Sequence, residues 1–351
     1  MANGFKFYIL CSKRCSMKKI EFTAVVPVAG AGTRLRPHTY TYPKVLLTVG
    51  DKPIIGHILD ELKEAGIRKV CLVTGYLGEK IKEYVGTHYK ELEVSYVEQP
   101  EPKGLGHAIW LTRGRVTGPA LVMLGDTIIS ADLRKFMDSP DDCIAVKEVA
   151  DPRRFGVVEV KKGYISALAE KPENPPSKLA IVGIYSFRNS ARLYAALERL
   201  VDSGRTTKGE IQFTDALALL VKDGHKLRPV AIDGWYDCGK PETLLETNRY
   251  ILNSGKFPSK AKNSLILPPV YISPSAKVEN SIIGPYTSIG DGARVVSSII
   301  SDSIVNENAF IINMNLSGSL VGPSATVAGR KDKLNVGENS EIRFDRTDCD
   351  S

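Results

Sequence analysis

No Cys-x-x-Cys pair occurs in this chain, and none of its six cysteines, at positions 11, 15, 71, 143, 238 and 349, has a histidine at zinc-ligand spacing. A structural zinc site and a disulfide framework are therefore not expected, and a reducing cytoplasm is. No stretch approaches the roughly 18 apolar residues of a membrane span. The apolar stretch near the N-terminus is too short for a signal sequence, and Lys13 and Arg14 follow it instead of preceding it. A basic run interleaved with aromatics is also missing: aromatic residues make up 7%, and the 47 lysines and arginines are dispersed. The net charge of +7 suits phosphate-bearing ligands better than nucleic acid. Neither nucleic acid nor membrane is expected as a partner.

What is present is ordinary globular material, 43% hydrophobic and 25% charged over 351 residues, enough for about two domains. From residue 22 to about 252, short β-rich runs alternate with helical periodicity, the pattern of a layered α/β domain. Strands are expected over 23–28, 70–74, 94–98 and 120–124, and helices over 55–65, 79–89, 190–201, 215–222 and 242–253. Gly66, Gly204, Gly224 and Gly255 each follow a helix, where a left-handed C-cap is needed. Cys71 and Cys143 lie in apolar runs and are expected as buried thiols.

After Gly255 the composition shifts. A Lys/Pro/Ser-rich linker over 256–262 leads into a segment rich in Gly, Ser, Asn, Ile and Val with almost no helix signal. Ile272, Val278, Ile283, Ile289 and Val295, and later Leu316, Val321 and Val327, recur at spacings of five or six. Such a period places one inward aliphatic on each flat face of a left-handed parallel β-helix. The expected domains are residues 17–255 and 256–344, with a ragged extension over 1–16 and a tail over 345–351. Hexapeptide coils often belong to acyltransferases that use a coil histidine. None of His38, His57, His88, His107 and His225 lies in the coil, so acyl transfer is not expected there. Open coil ends and flat aliphatic faces tend to be covered, so a homo-oligomer is expected.

The chemistry begins at Val28-Ala29-Gly30-Ala31-Gly32-Thr33-Arg34-Leu35-Arg36-Pro37, directly after the first strand, with Pro43-Lys44 beyond it. Glycines after a strand let backbone N–H groups approach a phosphate or base, and Arg34 and Lys44 supply positive charge. The spacing fails the dinucleotide fingerprint at Leu35, and the Gly-Lys-Ser/Thr of a P-loop is missing. A Gly-x-Gly turn alone is more often a tight connection; Thr-Arg-Leu-Arg-Pro and Pro-Lys make it specific. Asp126, in Val122-Met123-Leu124-Gly125-Asp126, stands at the C-terminal end of an apolar strand, where open α/β sheets bind ligands. Asp237 stands in Gly234-Trp235-Tyr236-Asp237-Cys238-Gly239, just before a helix start at Pro241.

These motifs together resemble the sugar nucleotidyltransferase family, in particular the long form of its glucose-1-phosphate thymidylyltransferases. The resemblance runs from about Lys18 to Phe344, including the coil and the closing Leu334-Asn335-Val336-Gly337-Glu338-Asn339-Ser340-Glu341-Ile342. It implies a Rossmann-like mixed-sheet nucleotidyltransferase domain followed by the left-handed β-helix. It also implies a Mg²⁺ held by Asp126 and Asp237, since two carboxylates plus phosphate oxygens suit a hard octahedral cation. The nucleoside triphosphate would meet Ala29, Gly30, Gly32, Thr33, Gln99 and Gly104. In Glu98-Gln99-Pro100, Gln99 offers a donor and an acceptor to a pyrimidine edge, and His107 is expected as a helix residue. The sugar 1-phosphate would meet Gly156, Glu170, Lys171, Gly183, Lys208 and Trp235. Lys208 and Glu210 open the Lys-Gly-Glu-x-x-x-Thr-Asp segment, with Lys208 where the family often has Arg. Arg34, Lys44 and Lys171 are the expected catalytic cations.

The implied reaction joins dTTP and glucose 1-phosphate into dTDP-glucose and pyrophosphate by in-line attack on the α-phosphorus. UTP is the alternative donor, because Ala29 stands where the family commonly has Gly, as in uridylyl-transferring relatives, and Thr127 stands where Asn is common. A catalytically silent regulatory or assembly subunit is a further alternative.

Overall fold

A computed structural model describes residues 20–330. The N-terminal extension, Cys11, Cys15, Cys349, the 334–342 segment and the tail lie outside the described residues. The chain divides into two compact units between Thr247 and Asn248, ahead of the compositional shift at Gly255.

The first unit is built on a nine-stranded mixed sheet, a Rossmann-like arrangement. Strands Glu93–Glu98, Lys69–Thr74, Thr23–Pro27 and Ala120–Met123 lie side by side and parallel. Thr23–Pro27, Lys69–Thr74 and Ala120–Met123 are continuous apolar runs because helices cover both faces of such a sheet. The other half is antiparallel: Leu179–Phe187 pairs with Ala120–Met123, Asp142–Glu148 and Gly156–Lys161, and Tyr164–Glu170 pairs with Gly156–Lys161. Leu227–Ala231 pairs with Asp142–Glu148 in parallel.

Five expected helices are present, as Ile54–Glu64, Gly78–His88, Ser190–Asp202, Phe213–Lys222 and Pro241–Ser254. The first buries Ile54, Ile55, Ile58, Leu59 and Leu62 on one face, as helical periodicity requires. It ends at Gly66, φ 90°, where Ile67 N–H donates to Leu62 O and Gly66 N–H to Lys63 O, a left-handed cap that satisfies two terminal carbonyls. Gly204 and Gly224 are left-handed as expected, with φ 63° and 84°. Gly255 is not: its φ is not positive, and a Cβ there would come within 2.9 Å of the Phe257 ring. Close packing, and not a left-handed cap, is what glycine provides at this position. Cys71 and Cys143 are buried, and Cys238 is too.

The four parallel strands all end on one edge of the sheet. Val28–Arg34, Gln99–Gly104 and Leu124–Asp126 emerge there, and the antiparallel strand Leu179–Phe187 brings Gly183 to the same edge, with Leu124 N–H donating to Gly183 O at 2.9 Å. This is where ligands bind in open α/β sheets.

The second unit is a left-handed parallel β-helix of three four-stranded parallel sheets. Inward columns run Ile266, Ile283, Ile300, Leu316; Ile272, Ile289, Val305, Val321; and Val278, Val295, Ile311, Val327. Every aliphatic of the five-and-six spacing stands in one of these columns. The corners are left-handed in register: Asn263, Asn280, Ser297 and Asn313; Tyr286, Asp302 and Gly318; Gly292, Asn308 and Ser324. Short polar side chains tolerate that conformation, which explains the Asn and Ser between the aliphatics. The last residues of the Pro241–Ser254 helix belong to this unit. Asn248 Nδ2 donates to Tyr286 O at 3.1 Å and Ser288 Oγ to Asn248 Oδ1 at 2.7 Å. A division inside a helix leaves no mark in composition.

Candidate active site

The Gly-rich loop is held tight. Gly32 is left-handed, φ 60°, and a Cβ on it would stand 2.9 Å from Lys44 Cβ, so the loop packs directly on the Lys44 stem. Thr39 Oγ1 donates to Gly32 O at 2.8 Å. Lys44 is buried, and its Nζ lies 2.9 Å from Asp126 Oδ2. The Asp126 carboxyl is pulled two ways. Partial desolvation against the cleft wall pushes its pKa up, and the Lys44 ammonium, the Thr127 hydroxyl and the Arg34 charge together bring it below the ordinary carboxylate range.

Asp237 reaches the same place by strand pairing. Gly234–Asp237 runs antiparallel to Thr127–Ser130, with Asp237 opposite Thr127, and Cys238 N–H donates to Asp126 O at 3.1 Å. The point where a Cβ on Gly239 would stand is 2.7 Å from Arg34 Nη2 and 2.8 Å from Asp237 Oδ1. Arg34 therefore stands near Asp237 across Gly239, and its charge also reaches Asp126. Burial first, and then the charge of both carboxylates, pushes the Cys238 thiol up to about 12, against the lowering effect of Thr247 and Lys44.

A cavity of about 500 Å³ opens beside Asp126. Ala29, Gly30, Gly32, Thr33, Arg34, Lys44, Gln99, Gly104 and Asp126 line it, so all six expected nucleotide-binding residues meet in one cleft. Pro102, Leu105 and Ala108 add apolar surface, and Glu210 adds a carboxylate. Gln99 is buried, and its Nε2 donates to Gly104 O at 3.1 Å and stands 3.2 Å from His107 Nδ1. A carbonyl can only accept, so the amide orientation is fixed: the donor is used internally and Oε1 is what remains for a base. Gly104, φ 102°, has Ile211 O 2.7 Å from its would-be Cβ. His107 lies in the short helix Leu105–Trp110.

The sugar-phosphate candidates do not line that cavity: Gly183 packs on Leu124, which does, and Gly156, Glu170, Lys171, Lys208 and Trp235 form a separate cluster. Glu170 Oε2 accepts from Thr214 Oγ1 at 2.7 Å, and Glu170 Oε1 lies 3.3 Å from Lys171 Nζ. Gly156 packs on both Thr214 and Glu170, and Phe155 meets the Trp235 ring edge-on at 4.7 Å. Lys208 Nζ donates to the backbone oxygen of Lys171 at 3.1 Å. Tyr185 lies behind; burial and the nearby Glu170 charge raise its hydroxyl pKa.

The nucleotidyl transferase family model matches residues 23–254. The chain belongs to the nucleotidyl transferase family. It is 38% identical over 234 residues to a low-salt glycan biosynthesis nucleotidyltransferase of Haloferax volcanii, a match covering 64% of each chain. It is 37% identical over 228 residues to a UTP–glucose-1-phosphate uridylyltransferase of the same organism, covering 62% of this chain and 92% of that one. A glucose-1-phosphate thymidylyltransferase of Streptomyces griseus is 36% identical over 240 residues, 66% of each. The match thus spans less than two thirds of the first of these relatives. Among solved structures, a UDP-glucose pyrophosphorylase complexed with UDP-glucose aligns with TM-score 0.59 at 28% identity, covering 67% of this chain and 100% of that one.

Within this nucleotidyl transferase, the residues that motif reading alone did not single out are Thr214, Tyr185 and Ile211. Thr214 donates to Glu170, whose charge in turn bears on the buried Tyr185, and Ile211 shapes Gly104 and Gly106 through its backbone. Thr214 sits inside the Thr-Asp pair of the Lys208 motif, a signal that was available; a backbone contact such as that of Ile211 leaves none.

Proposed function

We propose that this chain transfers a nucleotidyl group from dTTP to glucose 1-phosphate. The sugar-phosphate oxygen attacks the α-phosphorus, the bond from that phosphorus to the bridging oxygen breaks, and pyrophosphate leaves with the electron pair. The attacking oxygen is already anionic, so no protein base is required. The observation that carries this reading is that Arg34, Lys44, Gln99 and Asp126 line one cleft while Asp237 is paired beside Asp126, opposite Thr127. Positioning and charge neutralisation by Arg34, Lys44 and Lys171 then supply the catalysis.

The donor set fits Mg²⁺. Asp126 and Asp237 offer hard oxygens, and among the described residues no three His, Cys, Asp or Glu gather as a closed metal cage. Two carboxylates with the remaining positions left to phosphate oxygens and water is the usual way this ion is held. Bound there, Mg²⁺ would neutralise phosphate charge.

Gln99 Oε1 matches the N3–H that thymine and uracil share. The apolar Pro102, Leu105 and Ala108 surface supports thymine, whose methyl group it could cover; Ala29 favours UTP as the second reading. The reading includes self-association: Leu265 and Ile299 stand exposed on one outer face of the coil, and a second copy would cover it, a point for sedimentation equilibrium. No described helix is long and apolar enough to cross a membrane.

The test is pyrophosphate release across a matrix of nucleoside triphosphates and the 1-phosphates of glucose, galactose, mannose and glucosamine. The highest kcat/KM is expected with dTTP and glucose 1-phosphate. Silence with every pair would favour a regulatory subunit.

A further inference from the structure

Thr207 and Glu210 exchange two backbone hydrogen bonds, Thr207 N–H to Glu210 O at 2.9 Å and Glu210 N–H to Thr207 O at 3.3 Å. Between them Lys208 and Gly209 both have positive φ, 54° and 83°, which is the pattern of a type I′ turn. That turn favours Asn-Gly, because asparagine tolerates the left-handed region and most residues with a Cβ do not. A lysine here is a backbone outlier that the turn itself does not call for, and such an outlier motivates a search for what the side chain does.

Its destination is defined. Lys208 Nζ donates to Lys171 O at 3.1 Å. Lys171 is itself left-handed, φ 44°, and its own N–H donates to Phe155 O at 3.0 Å. The peptide groups on both sides of Lys171 are thus held, one by Phe155 and the other by Lys208. This matters because Lys171 Nζ must stay beside Glu170 Oε1, 3.3 Å away, while keeping donors free for a phosphate. The turn is a firm base for that brace. Just beyond it, Ile211 N–H donates to Lys103 O and Ile211 O accepts from Gly106 N–H, each at 2.8 Å.

We propose that Lys208 is a positioning residue of the sugar-phosphate subsite, holding the Lys171 backbone in the left-handed conformation that aims its ammonium. The proposal rests on the reading of Lys171 as the sugar-phosphate cation. A brace acts through Lys171, so its effect should vanish once the Lys171 ammonium is removed.

The test is steady-state kinetics on the full chain with Mg²⁺, dTTP and glucose 1-phosphate. Lys208→Asn is expected to raise KM for glucose 1-phosphate about three- to tenfold, with kcat and KM for dTTP within about twofold. Its Tm should be unchanged or higher, because asparagine suits the turn. Lys208→Arg restores the KM. In a Lys171→Ala background, Lys208→Asn should change kcat/KM by less than about twofold, the non-additivity expected of residues acting as one unit. Full persistence of the Lys208→Asn effect in that background would show a direct phosphate contact and overturn the proposal. So would an unchanged KM, or a KM rise that comes only with a falling Tm. An unmodified protein that releases no pyrophosphate with any substrate pair would end the proposed function itself, and this inference with it.

Discussion

Lys44 Nζ stands 2.9 Å from Asp126 Oδ2, with the lysine side chain 7% exposed and the carboxylate 45% exposed. The buried partner depends on the open one: a desolvated ammonium without its counter-charge is costly, whereas the carboxylate can still turn to a second cation. The pair therefore serves stability and the site at once, and the two aspartates should respond differently to the same substitution.

Asp126→Asn should lower turnover at least about a hundredfold and also lower Tm, because it strands Lys44. Asp237→Asn should lower turnover comparably at nearly unchanged Tm, since among the described residues no ion pair within 4 Å links Asp237 to a lysine or arginine. Pyrophosphate release and thermal unfolding of both variants check this; near-normal activity in both would remove the carboxylate assignment.

Lys171→Ala should raise KM for glucose 1-phosphate about tenfold or more while KM for dTTP stays within about twofold. Equal increases for both substrates would contradict the separation of the cleft from the Glu170 cluster.

Glu61 Oε2 is buried without a hydrogen-bond partner, and burial, helped by the charge of Glu64, pushes this carboxyl up to about 8. A group raised on folding contributes stability that is fully present below its unfolded value, near the ordinary carboxylate range, and is lost as pH rises through the folded one. The wild-type protein should lose stability from this group between about pH 4.5 and 8. Glu61→Gln should be more stable than wild type at pH 8.5, on the order of 1–3 kcal/mol, and near wild type at pH 4. Denaturant unfolding at the two pH values measures the difference; a constant offset would rule out titration of Glu61.

Asn280 is left-handed, φ 52°, at a coil corner. Asn280→Gly should be nearly neutral, and Asn280→Val should cost about 1–2 kcal/mol. Thermal unfolding of the coil reads both; equal effects would mean that the corner conformation is not what asparagine provides.

Much of this was legible in the residues alone. The four parallel strands and five helices announced themselves through apolar periodicity and glycine stops, and the five-and-six spacing named the coil's inward columns position by position. The antiparallel half of the sheet was not legible. Strands such as Gly156–Lys161 and Tyr164–Glu170 are half-exposed, so their pattern is weak, and their place comes from partners elsewhere in the chain. Gly255 misled because a glycine after a helix can serve close packing as well as a left-handed turn.

The candidate site divides in the same way. The Gly-rich loop, Arg34, Lys44, Gln99 and Asp126 each follow a strand end, so local order already aimed them at one edge of the sheet. That Asp237 joins them through pairing with Thr127, that Lys208 braces Lys171, and that the two units part inside a helix were decided only by tertiary structure. Periodicity and turn chemistry act between near neighbours and are written in the order of residues. Register and hydrogen bonding between distant segments depend on which surfaces bury together, and that is settled only when the whole chain packs.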